Sequence, residues 1–125
     1  MSLKVWIVDD DEEMTRAVRL MLNLLSCETN SFFNARSAAQ ALMEGKRPDL
    51  FILDINMPEV TGLDLLEFLR RREQTRFIPV VMLSTEASDV MIDRANELGA
   101  DAYVSKPVTI EELERAMNLA LKKRR

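Results

Sequence analysis

The run Leu50-Phe51-Ile52-Leu53-Asp54 limits the fold more than any other part of the chain. Four consecutive apolar residues leave no polar face, then Asp54 interrupts, with Asn56 and Pro58 close behind. A short unbroken apolar run closed by turn signals reads as a strand covered on both sides, the pattern of a parallel sheet. Proline cannot donate to a ladder, so the strand must end before Pro58. In open α/β sheets the ligand crevice lies outside the carboxyl ends of the strands, so Asp54 is placed for chemistry. A turn-forming aspartate would look the same in isolation. What decides between the two is whether other strands end in complementary groups.

They do. Leu3 to Val8 reads as a first strand running into Asp9, Asp10, Asp11, Glu12 and Glu13. Met14, Ala17, Val18, Met21, Leu22 and Leu25 then recur at helical spacing. Glu28 to Phe33 is a weaker strand, suited to a sheet edge, and Asn34 to Glu44 a short helix closed by Gly45. After the central strand, Thr61 and Asp64 form a capping-box pattern ahead of Leu63, Leu65, Leu66, Phe68 and Leu69. That third helix ends in Arg70, Arg71 and Arg72, which read as a solvated terminus complementing the helix dipole. Ile78 to Leu83 is a fourth strand ending in Ser84 and Thr85; a fourth helix carries Met91, Ile92, Ala95 and Leu98 and stops at Gly99. Ala102 to Ser105 is a fifth strand ending in Lys106-Pro107, and Thr109 with Glu112 caps the last helix.

Strand and helix alternate throughout, and parallel strands need crossover helices that cover the sheet. The expected fold class is therefore α/β: one doubly wound, flavodoxin-like domain with a five-stranded parallel sheet of order 2-1-3-4-5 and helices on both faces. One domain is expected over residues 1–125, its core from about 3 to 122. The basic tail Lys122 to Arg125 reads either as a helix end or as the start of a linker to an output domain.

Composition removes whole classes of function. With no histidine there is no histidine triad, general base or metal ligand, and a phosphohistidine could only belong to another molecule. A net charge of -4 argues against direct nucleic-acid binding. The single Cys27 cannot form an internal disulfide, and no apolar run approaches the ~20 residues needed to span a bilayer. A cytoplasmic protein without membrane association is expected.

The groups at the strand ends are Asp9, Asp10, Asp54, Ser84 and Lys106. Carboxylates brought together repel one another and raise at least one pKa unless a cation joins them. Mg²⁺ is the natural cation, because it takes carboxylate oxygens, keeps waters and accepts a phosphate oxygen. Asp54 is then a carboxylate nucleophile, Lys106 neutralises phosphoryl charge, Ser84 offers a hydroxyl that could turn toward a phosphoryl oxygen, and Asn56 lends its backbone carbonyl to the metal. Taken singly, Lys106 could be an exposed turn lysine and Ser84 a helix cap. Together at successive strand ends they are harder to dismiss.

This set resembles the receiver domain of two-component response regulators. The resemblance covers about Leu3 to Leu121 and is carried by Asp9-Asp10, Asp54-x-x-Met57-Pro58, Ser84, Tyr103 and Lys106-Pro107. It implies a regulatory domain rather than an enzyme acting on other substrates, with Mg²⁺-dependent transfer of phosphate from a sensor histidine kinase or a histidine phosphotransfer protein to Asp54. Asp10 would be a direct metal ligand and Asp9 a water-mediated one. The bond before Pro107 would be cis. Ser84 and Tyr103 would move together and reshape the face of the fourth helix, fifth strand and fifth helix for a downstream effector, or for a homodimer formed on phosphorylation. Tyr103 read without the resemblance is plain edge-strand packing. Val108 stands where the family often has phenylalanine, and Thr85 where a small alanine is usual. Asn56 and Glu86, each two residues beyond a site residue, are expected to place the attacking water during autodephosphorylation. Two alternatives remain at this point. A phosphatase of haloacid-dehalogenase type would share the nucleophile but finds Asn56 where its second acid belongs. A flavodoxin-like module binding FMN would meet acids where it needs a phosphate-binding loop.

Overall fold

The computed structural model describes residues 2–86 and 88–124. Five strands alternate with five helices: β1 (Lys4–Val8), α1 (Glu12–Leu24), β2 (Glu28–Phe32), α2 (Ala35–Met43), β3 (Leu50–Asp54), α3 (Gly62–Arg71), β4 (Val80–Ser84), α4 (Asp89–Glu97), β5 (Ala102–Ser105) and α5 (Ile110–Lys123). The strands pair in parallel in the order β2-β1-β3-β4-β5, as the sequence predicts. β3 is central, with Val8 beside Leu53 on one side and Asp54 beside Leu83 on the other.

The unbroken apolar strands are explained by what each face meets. Phe51 and Leu53 point into a core shared with Trp6, Met82 and helices α2, α3 and α4; Leu50 and Ile52 point into a second core shared with Ile7, Leu83 and helices α1 and α5. All four side chains on β3 are fully buried. Burying each contributes about 1.5–3 kcal/mol, so neither face could tolerate a polar residue. β2, at the edge, alternates between exposed and half-buried positions, which is why its sequence is weaker.

The predicted helix boundaries follow local chemistry. Both capping boxes form, at Thr61 with Asp64 and at Thr109 with Glu112. Asn34 caps α2 from outside it, which starts that helix one residue later than the periodicity suggests. Gly99 follows α4 at φ 104°, a conformation that closes a helix and that side chains rarely adopt. β4 begins at Val80, two residues later than expected, and takes in Ser84 as its last residue. Asp54 is likewise the last residue of β3.

Candidate functional site

Three strand ends converge on one ammonium group. Lys106, just past β5, places Nζ 3.1 Å from Asp54 Oδ1 and 3.2 Å from Asp9 Oδ2. Asp9 leaves β1 with its backbone N–H donating to the Phe32 carbonyl, and its Oδ1 accepts from Asp11 N at 2.9 Å. Those bonds turn Asp9 inward, where it is buried, while the next residue, Asp10, faces solvent. One oxygen from each of Asp9, Asp10 and Asp54 lies within 4.8 Å of the others. The Lys106–Pro107 peptide bond that follows is cis.

Asp11, the third acid of the run, is committed elsewhere. Its side chain accepts from Glu13 N and Met14 N and caps α1. The acids that follow β1 thus fall into two groups, with Asp11 to Glu13 serving the helix and Asp9 and Asp10 the crevice.

The electrostatics are those of a site short of positive charge. Burial and the nearby Asp9 carboxylate push the Asp54 pKa up to about 6, against opposing pulls from Lys106 and a backbone hydrogen bond from Asn56. For Lys106, burial alone would lower the pKa, but Asp9 and Asp54 outweigh it and hold the ammonium above its ordinary value. Asp9 Oδ2 is buried and, apart from the Lys106 ion pair, accepts no well-directed hydrogen bond. An orphaned carboxylate oxygen beside two more carboxylates is a donor set that fits a hard divalent cation. Asp9, Asp10 and Asp54 are the residues that would hold it.

Ser84 and Tyr103 are joined through one residue. Ser84 Oγ, fully buried, accepts from Glu86 N at 3.0 Å, and the Tyr103 hydroxyl donates to the Glu86 carbonyl. Tyr103 therefore does more than pack the edge strand. Burial raises its hydroxyl pKa, so the group is protonated and able to donate at neutral pH. Glu86 and Asn56 have exposed side chains at the rim.

Gly62 is not among the sequence-predicted site residues, yet it limits the site. A Cβ there would lie 2.0 Å from the Asp54 carbonyl oxygen, and Gly62 N donates to Ile55 O at 3.1 Å. α3 can therefore start directly against the Asp54 backbone only because this residue has no side chain. The Thr61-Gly62 pair at a capping box was the available signal. Arg70 is a correction of another kind. It is not a solvated terminus but is largely withdrawn from water, its side chain 12% exposed, donating to Gly99 O, Arg76 O, Ile78 O and Asp101 Oδ2.

Residues 5–118 match the family described as the response regulator receiver domain. The chain is 32% identical over 112 residues to the chemotaxis protein CheY of Pseudomonas aeruginosa, covering 90% of each. It is 33% identical over 112 residues to the polar-differentiation response regulator DivK of Brucella ovis, covering 88% of this chain and 89% of the relative. Among solved structures, the Vibrio cholerae chemotaxis protein CheY4 superposes with a TM-score of 0.87 at 30% identity, over 96% of this chain and 99% of that one.

Proposed function

This chain belongs to the response regulator receiver domain family, whose members serve phosphorelay signalling, and on that premise we propose that Asp54 is its phosphoryl acceptor. The observation that carries the reading is the Lys106 ammonium held between Asp9 and Asp54, with a third carboxylate, Asp10, within 4.8 Å. In the transfer, an Asp54 carboxylate oxygen attacks phosphorus in line. The bond from phosphorus to the donor's histidine nitrogen breaks, its electron pair leaves on the imidazole, and a phosphorus–oxygen bond forms on Asp54. Mg²⁺, when bound, supplies positive charge for the phosphoryl oxygens. Lys106 trades its bond to Asp54 Oδ1 for one to a phosphoryl oxygen, so its charge follows the charge being transferred. Asp10 and Asp9, with Asp54 and the Asn56 backbone carbonyl, are the groups that would hold the metal.

Ser84 Oγ accepts from Glu86 N and keeps its own hydroxyl proton to donate, and a side chain that rotates toward the new phosphoryl group leaves Glu86 N. That releases the Glu86 N–H while Tyr103 holds the Glu86 carbonyl, so a change at Ser84 reaches β5 through a single residue. The phosphoryl group shifts this equilibrium by as much as it favours the turned arrangement. The switched face of α4, β5 and α5 is the surface offered to an effector or a second copy. The donor is a sensor kinase or a histidine phosphotransfer protein. Exposed Leu20 and Leu24 on α1, with Phe33 across a groove of about 770 Å³ whose lining includes Leu20 and Phe33, give it an apolar seat beside the acids. Asn56 and Glu86 at the rim place the water that later hydrolyses the acyl phosphate. Among the described residues no helix is long and apolar enough to cross a membrane.

Incubation with acetyl phosphate tests the reading. The intact mass should rise by one phosphoryl increment with Mg²⁺ and stay unchanged after chelation. An Asn56→Leu, Glu86→Leu double variant should take up the group and lose it more slowly. Labelling that ignores Mg²⁺ would overturn the metal assignment, and equal decay would remove Asn56 and Glu86 from hydrolysis.

A further inference from the structure

At the pole opposite the crevice, cations are stacked on aromatic rings; Asp64 and Glu67 line one groove with Phe68 and Arg72, yet among the described residues no carboxylate comes within ion-pair distance of Arg72 or Arg76. The Arg72 guanidinium lies 5.2 Å from the Phe68 ring centre and the Arg76 guanidinium 4.8 Å from that of Phe77. Phe77 is 62% exposed, unusual for a large aromatic side chain in a loop. The two pairs are neighbours, since Arg76 N donates to Arg72 O at 2.9 Å. The end of α5 joins them: Arg124 Nη1 donates to Arg76 O at 3.4 Å, which brings Lys122 and Lys123 to the same end of the molecule. Among the described residues Arg72, Arg76, Lys122 and Lys123 form no ion pair, whereas the neighbouring Arg70, Arg71 and Arg124 all do.

We infer that this cationic, aromatic pole is a second interaction surface, and that it takes a short acidic protein segment carrying an apolar side chain. A guanidinium stacked on a ring keeps its N–H edge free and already oriented for a carboxylate, while exposed Phe77 receives the apolar group. The chain's net charge of -4 selects among polyanions. A nucleic acid or a bilayer is extended and meets the repulsion of the whole molecule. A short peptide within about one Debye length, ~8–10 Å, meets chiefly the local cations, which outnumber the carboxylates Glu67 and Glu73 beside them. The surface lies at the amino-terminal ends of β4 and β5, so its occupant leaves the crevice at their carboxyl ends open to a phosphodonor. Nothing in this surface depends on phosphoryl transfer at Asp54.

The test is fluorescence anisotropy with the full chain and a labelled peptide of about 12 residues, rich in glutamate with one central leucine. Binding is expected to fall at least about tenfold between ~50 and ~300 mM NaCl. It should fall at least about fivefold in an Arg76→Gln, Phe77→Ser variant. That variant keeps the Arg76 carbonyl that Arg70 and Arg124 use, so its thermal midpoint and phosphorylation should match those of the parent. Vesicles containing phosphatidylserine and a short DNA duplex are the other arms. Equal binding by the variant, preference for vesicles or duplex, or no binding at all would each overturn the inference.

Discussion

The two ends of the sheet each bury an aspartate among cations, and they are charged to opposite excess. At the carboxyl ends, Asp9 and Asp54 share one lysine with Asp10 close by, the buried Asp9 Oδ2 has no hydrogen bond beyond that ion pair, and the Asp54 pKa is pushed up to about 6. At the amino ends, Asp101 alone serves two arginines. Its Oδ2 accepts from Arg70 at 2.9 Å and from Val80 N at 2.9 Å, and its Oδ1 from Arg124 Nε at 2.8 Å. Burial and the adjacent Arg124 pull the Arg70 pKa down to about 10, still charged at neutral pH. The saturated cluster joins α3, β4, the turn before β5 and the end of α5. The unsaturated one leaves negative charge for an incoming cation to complete. Similar residues thus give an anchor at one end and, at the other, the unsaturated acidic crevice proposed as the phosphoryl site.

Removing the anchor should have the largest effect. Asp101→Ala strands two guanidiniums and the Val80 N–H, and should cost about 3–5 kcal/mol in denaturant unfolding. A loss under ~1 kcal/mol would mean that water satisfies these groups and that the contrast between the ends is overstated.

The opposite sign is expected at the reactive end. Between the ordinary carboxyl pKa of 3.8 and the folded value of about 6, folded Asp54 binds a proton that the unfolded chain has lost. Metal-free stability therefore falls as pH rises through that window, and above it the full cost of the charged group is present. Asp54→Asn should stabilise the metal-free protein by about 1–2 kcal/mol at pH 8, and the gain should vanish near pH 4. A destabilised variant at pH 8 would show that Lys106 depends on Asp54 more than Asp54 is strained by its neighbours.

The legibility of the molecule followed the range of the interactions. Strands, caps and sheet order were readable because buried parallel strands must be continuously apolar and because Thr61, Thr109 and Gly99 act within a few residues of themselves. The strand-end acids and Lys106 were readable because topology alone carries them to one edge. Arg70 was not: its sequence neighbours Arg71 and Arg72 look identical, and only the fold brings Asp101 to one of the three. Gly62 was missed for the same reason, since its constraint is the Asp54 carbonyl of a preceding element.

A smaller effect compares backbone strain at the two ends. Ser26, beyond the end of α1, and Glu59, in the loop after β3, have φ of 64° and 66°. Ser26→Gly should gain about 0.5–1 kcal/mol and leave phosphorylation unchanged. Glu59→Gly should gain a similar amount but alter the phosphorylation rate, because its loop carries Asp54 to α3. Identical kinetic behaviour of the two variants would remove the distinction.

The most direct test maps the phosphoryl group itself. After incubation with Mg²⁺ and acetyl phosphate, borohydride reduction should convert residue 54 alone to homoserine, leaving Asp9, Asp10 and Asp101 as aspartate, and Asp54→Asn should show no conversion. Conversion at another aspartate in the parent, or undiminished labelling of Asp54→Asn, would contradict the account.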